Sequence, residues 1–369
     1  MTQVRLEYIR KPDSSYYKSL ITWPPEGITY ANLDKEDFNL ITSKAKFELI
    51  NFAKSGARKI AKVLNIQKPN IIDEPKQNTE YMYNGRYDIL HCCRCLSNGK
   101  SPWVVDIEKY WTFAAFGGSR LPRNIKIIKE RLKSPSCKAI FPWSEECKAE
   151  INGVLQDEEI YDKMKVLHYS MPLMVKQKFP DSGGKVRLLF VSRYFYEKGG
   201  PDAVEAFSQL KKKYGDKIEC TVVSNLPSEF AIMMHKNIKF MPLVSQDVLF
   251  KEIYPNNDIF LYPSYVDTYG FALVEAQSFG LPIISVDGFN RKELVGNAGI
   301  IIPRPKNIIM EKINHEVVKG MVEAASQLIE NNWQRKEMSR AGRREVSEGK
   351  FSLSRRNAIL KKTYEEALK

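Results

Sequence analysis

The stretch DIFLYPSYVDTYGFALVEAQSFGLPIISV, residues 258–286, decides the fold. Asp258–Leu261 reads as a buried strand that ends at Pro263-Ser264. A helix starts at Gly270 and carries Ala272, Ala276 and Phe279 at helical spacing. It stops at Gly280, with Pro282 beyond, the ordinary punctuation of a helix end. A second strand, Ile283–Val286, follows at once. Strand, helix, strand in close succession is the unit of parallel, doubly wound sheets. Such sheets bind ligands at the carboxyl edge of their strands, where this helix begins. Gly270 has no Cβ to keep a ligand away from the backbone. The amides of Gly270, Phe271 and Ala272 are unused at a helix start, so they suit phosphate or sugar oxygens.

The same alternation extends outward along the 369 residues. Before the stretch, β-rich runs fall at Val186–Val191, Ile218–Val223 and Ile238–Phe240, and after it at Gly299–Ile302. Asp202–Tyr214 and Glu316–Asn331 have helical spacing. An earlier series comprises Val4–Ile9, Asp88–Cys92, Trp103–Ile107, Ala139–Phe141 and Lys165–Tyr169. The two series meet at Ser170–Gly184, which holds Pro172, Pro180, Gly183 and Gly184 and reads as a linker. The chain therefore reads as two α/β domains, 1–175 and 176–351, with a closing helix over 352–369.

Two groups of residues carry candidate chemistry. Asp267 lies in the loop just before the helix, and Glu275 lies inside it, leaning back toward its start. Paired carboxylates accept bonds from a sugar or ribose diol, although a solvated pair of acids is the competing reading. The second group follows the strand at 186–191. Ser192-Arg193 and Lys198-Gly199 precede a helix opened by Pro201 and Asp202. Basic groups on a loop at the carboxyl end of a strand are placed to hold a diphosphate, and a solvated basic loop is the alternative.

Together these motifs resemble glycosyltransferase family 4, of the GT-B fold. They are the acids Asp267 and Glu275, the pair Arg193 and Lys198, Pro263-Ser264, Gly270-Phe271-Ala272-Leu273, Glu275-Ala276 and Gly280-Leu281-Pro282. The resemblance covers about 86–305 and is densest over 186–302. It implies two Rossmann-like domains facing a central cleft, with the acceptor on the N-terminal domain and the nucleotide-sugar on the C-terminal one. It also implies that the helix over 352–369 crosses back to the N-terminal domain. The implied activity is the transfer of a hexose-type sugar, with retention, from a UDP- or GDP-sugar to a glycan or lipid-linked acceptor. Neither a metal nor a resident cofactor is implied. Arg193 and Lys198 would stabilise the diphosphate leaving group, Glu275 would hold the ribose and Asp267 the donor sugar. The leaving phosphate itself would take the acceptor proton. Ser192 and the backbone near Val244 would add donor contacts, with Gly270, Phe271, Ala272 and Leu273 around the phosphate.

Three departures from the family stand out, two of them in the first half. The loop after the first strand, 10–15, is not Gly-rich, and the usual first acid, Glu, is Asp267 here. Where the family often has a His touching the donor sugar, this chain has Glu108. Glu108, Gly117 and Gly118 are the candidates on the acceptor or donor-sugar side. His91, at the end of 88–91, reads as structural. A catalytically impaired relative that binds sugar nucleotides or acts as a scaffold is the alternative function.

Composition narrows the rest. Hydrophobic residues are 43% and charged residues 27%, which suits globular domains and excludes a disordered chain. The surplus of 57 basic over 44 acidic residues, +13, first suggests phosphate-bearing partners. It lies in 109–138, at +7, and 335–369, at +6. The near-neutral donor half and the lack of a nucleic-acid motif argue against nucleic acid. The amphipathic run Arg123–Lys133 suits either a wet helix face or an anionic membrane surface. The N-terminus does not read as a signal peptide, and no run of apolar residues suits a membrane span. The expected place is the cytoplasm, with peripheral attachment to the inner membrane face as an option. Cys92, Cys93, Cys95, Cys137, Cys147 and Cys220 read as reduced thiols, with a zinc site from His91, Cys92 and Cys95 as the lesser option.

Overall fold

A computed structural model describes residues 1–7, 15–31, 86–114, 121–175, 184–227, 230 and 237–369. The chain divides into two compact units. The first takes its described residues from 1–31, 86–170 and 353–369, and the second from 171–352.

The first unit contains β1 (Thr2–Glu7), α1 (Ser15–Thr22), β2 (Ile28–Ala31), β3 (Ile89–Cys93), β4 (Trp103–Ile107), α2 (Leu121–Lys133), β5 (Cys137–Pro142), α3 (Glu145–Leu155) and α4 (Glu158–Asp162). Its sheet runs β2-β1-β3-β4-β5, and every pairing is parallel. Strands β3 and β4 are buried along their whole length, as expected where helices cover both faces. Ser144 caps α3, its hydroxyl accepting from the Cys147 amide at 3.0 Å, and Glu145 and Glu146 fill the first turn.

The second unit contains β6 (Val186–Ser192), α5 (Gly200–Tyr214), β7 (Ile218–Ser224), β8 (Lys239–Met241), β9 (Ile259–Tyr262), α6 (Phe271–Ser278), β10 (Ile283–Val286), α7 (Arg291–Val295), β11 (Gly299–Ile302), α8 (His315–Glu330) and α9 (Asn332–Ser347). The sheet order is β11-β10-β9-β6-β7-β8, all parallel. Counted within the unit this is the dinucleotide-fold order, with strand order reversing between β6 and β9. The core joins Leu188, Phe190 and Leu261 of the sheet to Phe207 of α5 and Met321 and Leu328 of α8.

The last helix, α10 (Leu353–Ala367), belongs to the first unit. Its buried Arg356 donates to the Ser19 hydroxyl and to the Trp23 carbonyl. The unit boundary falls at Ser170 rather than 175. The reason is local: Ser278 donates to the Pro172 carbonyl at 2.6 Å and accepts from the Met174 amide at 3.0 Å.

Three expectations need correction. Lys165–Tyr169 is not a strand, although the Lys165 and Leu167 amides donate to the Ile140 and Pro142 carbonyls at 2.9 Å. Pro142 has no N–H to return, so the ladder is incomplete. The zinc option fails on geometry. His91 and Cys92 are neighbours on β3 and face opposite sides of the sheet. Cys92 and Cys95 lie in the apolar core, while His91 Nε2 is 3.0 Å from Asp106 and Nδ1 2.7 Å from the Tyr364 hydroxyl. The third correction concerns charge. The +7 of 109–138 is followed by seven acids and one base over 139–162. Lys109 is fully buried, 2.9 Å from both Glu146 and Glu150. Lys133 lies 3.5 Å from Asp157 and 3.3 Å from Glu159. Part of that surplus is therefore matched within its own unit.

Candidate active site

The reversal of strand order brings two loops together at the carboxyl edge of the second sheet. One follows β6 and the other follows β9. Gly199 makes their contact possible: its φ is +69°, and a Cβ there would lie 2.4 Å from the Pro263 carbonyl oxygen. The loop after β6 turns tightly, with Ser192 Oγ accepting from the Tyr194 amide at 3.0 Å. Tyr265 and Val266 amides then donate to the Glu197 carbonyl at 3.0 and 3.1 Å, fastening one loop to the other.

This docking places Lys198 against Asp267. The ammonium lies 2.8 Å from Asp267 Oδ2 and donates to the Val266 carbonyl, also at 2.8 Å. Arg291, on the first turn after the next strand, reaches the same carboxylate oxygen at 3.2 Å. The Tyr262 hydroxyl, from the end of β9, donates to it as well. The Tyr262 ring is 5.7 Å from the Lys198 ammonium and 5.3 Å from the Arg291 guanidinium. Burial alone would raise the Asp267 pKa, but Lys198 and Arg291 overcome it and hold the carboxyl below its usual range. Burial draws Lys198 below the usual lysine range, against the pull of Asp267. Burial and then Asp267 push the Tyr262 phenol up, so it stays protonated as a donor.

Gly270 precedes α6 with φ +101°, and a Cβ there would lie 3.1 Å from Arg291 Nη1. The start of α6 thus abuts the cluster. The Leu273 amide is already bonded to the Gly270 carbonyl at 2.9 Å, so it offers nothing to a ligand. Glu275 sits one turn into the helix, nearly buried. It accepts from the Tyr254 hydroxyl at 3.2 Å and from Gln246 Nε2 at 3.5 Å. Tyr254 is fixed by stacking on Phe279, with ring centroids 5.2 Å apart. The two acids are therefore held by different partners, Asp267 by cations and Glu275 by neutral donors.

The remaining expected positions are more scattered. Arg193 is half-buried on the β6 loop, and Val244 is half-buried just before helical turns over 246–256. Glu108 follows β4 in the first unit, where Arg94 Nη1 pairs with it at 2.9 Å. Gly117 and Gly118 lie outside the described residues. Arg291, Tyr262, Tyr254 and Gln246 are site residues that the motifs did not reveal. For Arg291 the signal exists: it is a basic residue just past the carboxyl end of a strand, the same cue that marks Arg193.

Comparison with known proteins agrees with this geometry. Residues 175–345 match the family model described as glycosyl transferases group 1. A 171-residue stretch is 24% identical to the capsular polysaccharide biosynthesis glycosyltransferase CapM of Staphylococcus aureus. That match covers 44% of this chain and 41% of CapM, so the curated relative is spanned to less than half its length. Among solved structures, Anabaena HepE in complex with UDP-glucose aligns with a TM-score of 0.62 at 13% identity, over 99% of this chain and 100% of that one. WaaG, a glycosyltransferase involved in lipopolysaccharide biosynthesis, aligns with a TM-score of 0.57 at 14% identity, over 98% and 99% of the two chains. These likenesses establish the fold: two parallel-sheet, Rossmann-like units of the GT-B kind. Residues 175–345, the bulk of the second unit, are thus similar to the glycosyl transferases group 1 family.

Proposed function

We propose that this protein is a glycosyltransferase that moves a hexose-type sugar from a UDP- or GDP-sugar to a glycan or lipid-linked acceptor. The supporting observation is the cluster of Lys198, Asp267 and Arg291 beside the start of α6, at the reversal point of the second sheet. Lys198 and Arg193 would meet the donor diphosphate, which gains charge as the glycosidic bond breaks. Fixed cations act most strongly on that developing charge, so they lower the barrier rather than only tightening binding. Glu275, kept in place by Tyr254, would accept from the ribose hydroxyls. Asp267 would accept from hydroxyls of the donor sugar, and the amides of Gly270, Phe271 and Ala272 would add donors to the phosphate.

The finer assignment is to family 4, with retention of configuration and no metal. The leaving phosphate would take the acceptor proton. A peripheral position on an anionic membrane face would rest on exposed groups of α2 such as Lys126 and Ile127, since Lys109 and Lys133 are paired within the unit. At low salt that position requires more protein to pellet with anionic vesicles than with neutral ones.

A panel of nucleotide-sugars scored for release of nucleoside diphosphate tests the function. Turnover of one donor, lost in Lys198→Ala, is the expected result. Tight binding without turnover for any donor and acceptor would instead mark a sugar-nucleotide-binding relative.

A further inference from the structure

Asp267 has more positive charge against it than it needs. Lys198 Nζ and Arg291 Nη2 approach the same oxygen, at 2.8 and 3.2 Å, so the contact group carries one surplus positive charge. Arg291 is fully buried; its Nη2 meets Asp267 as an ion pair without hydrogen-bond geometry, and its Nε makes no hydrogen bond among the described residues. The adjacent Asn290, also buried, leaves Nδ2 without a partner there. Unfilled donors on a buried guanidinium are costly. Arg356 in the first unit avoids that cost: it donates to the Ser19 hydroxyl, the Trp23 carbonyl and Asn357. Arg291 is instead fixed by the Tyr269 carbonyl at 3.3 Å, by Asn290 Oδ1 at 3.2 Å and by the Tyr262 ring.

We propose that Arg291 is a positioning residue, the standing counter-ion of Asp267 that frees Lys198 to move from that carboxylate to the donor diphosphate. This rests on the nucleotide-sugar reading above. If Lys198 were the sole cation on Asp267, drawing it away would strand a buried carboxylate, which is strongly unfavourable. With Arg291 in place the carboxylate stays compensated, ionised and oriented while Lys198 turns to phosphate. The incoming diphosphate then neutralises the surplus. The charged and titratable groups around Asp267 are Lys198, Arg291 and Tyr262, with Glu197 also acting on Lys198. The depressed Asp267 pKa agrees with a carboxylate that remains charged throughout.

Calorimetric titration with UDP, GDP and ADP across the acid-to-neutral range tests this, using whichever nucleotide wild-type protein binds most tightly. Arg291→Gln is expected to weaken that binding by roughly tenfold at neutral pH. Its acid limb should move to higher pH, because Asp267 has lost one of two cations. In an Asp267→Asn background the same change should cost much less, since no carboxylate remains to compensate. A purely structural Arg291 would cost the same in both backgrounds, and that result, or an unmoved acid limb, overturns the proposal. Should Arg291→Gln not fold, Arg291→Lys decides: a limb at the wild-type pH supports the counter-ion role, and a displaced limb refutes it. Weak binding by Lys198→Ala with unchanged binding by Arg291→Gln would remove this inference alone. No binding of any of the three nucleotides by wild-type protein would remove both it and the donor reading.

Discussion

Both units place ionisable groups in and around a parallel sheet, and the two sets differ in whether they are satisfied. In the first unit, Asp106 accepts from the Tyr17 hydroxyl at 2.5 Å and faces His91 Nε2 at 3.0 Å, while His91 Nδ1 meets Tyr364 at 2.7 Å. All four side chains are fully buried, and each polar tip has a partner. In the second unit, two cations share one carboxylate oxygen, and Arg291 Nε has no hydrogen-bond partner among the described residues. A closed network ties a helix to a sheet. An open one, with surplus charge at the edge where the strand order reverses, is a place for an anion.

The largest expected effect of breaking this contrast is at Lys198. Lys198→Ala should lose turnover by roughly 10²–10³, the usual cost of one fixed donor to developing charge, while its melting curve stays cooperative. Next comes Asp106→Ala, which strands His91 and Tyr17 in the first unit. It should lower stability by about 3 kcal/mol in urea unfolding, with nucleotide affinity in the surviving folded protein unchanged. A change in affinity there would blur the distinction between the two networks.

The second network also sets the sign of two pH responses. Asp267 has a folded pKa below its unfolded value of about 3.9. Its contribution to stability is therefore present above that value and lost as pH falls through the folded one. Lys198 has a folded pKa below its unfolded value of about 10.4, so donor affinity should decline on the alkaline side before an ordinary lysine titrates. Nucleotide binding followed by calorimetry at rising pH checks this, and Lys198→Arg should flatten that limb. The smallest effect belongs to the exposed pairs of α2 and α4. Lys133→Gln should leave the midpoint of the same urea titration where wild type has it, because exposed pairs contribute little.

Legibility in the sequence also differed between the two regions. Around 258–302, glycines and prolines punctuate short apolar runs, so β9, α6, β10 and β11 fall within a residue or so of their expected places. Lys198 and Asp267 stood out because each lies on a loop just after a strand and just before a glycine-led helix. Arg291 did not, because Arg291-Lys292-Glu293 looks like a wet charged turn and only the fold shows that its first member points inward. In the first unit, β2 carries only four residues, Ile-Thr-Tyr-Ala, too few for a period to show. Helix α9 was hidden for another reason: its buried face is built from Arg335, Ser339, Gly342 and Val346 rather than from large apolar residues. Pairing between segments, as in Lys109 with Glu146 and Glu150, is likewise invisible until α3 is placed against the turn after β4.

The proposed role of the second unit is to bind and activate a nucleotide-sugar through Lys198 and its neighbours. Its most direct test is release of nucleoside diphosphate from a panel of nucleotide-sugars by the wild-type chain and by Lys198→Ala at matched concentration. One donor should be consumed by wild type, and at least a hundredfold less of it by the variant. Equal consumption by both proteins, or no consumption and no binding of any donor, would contradict it.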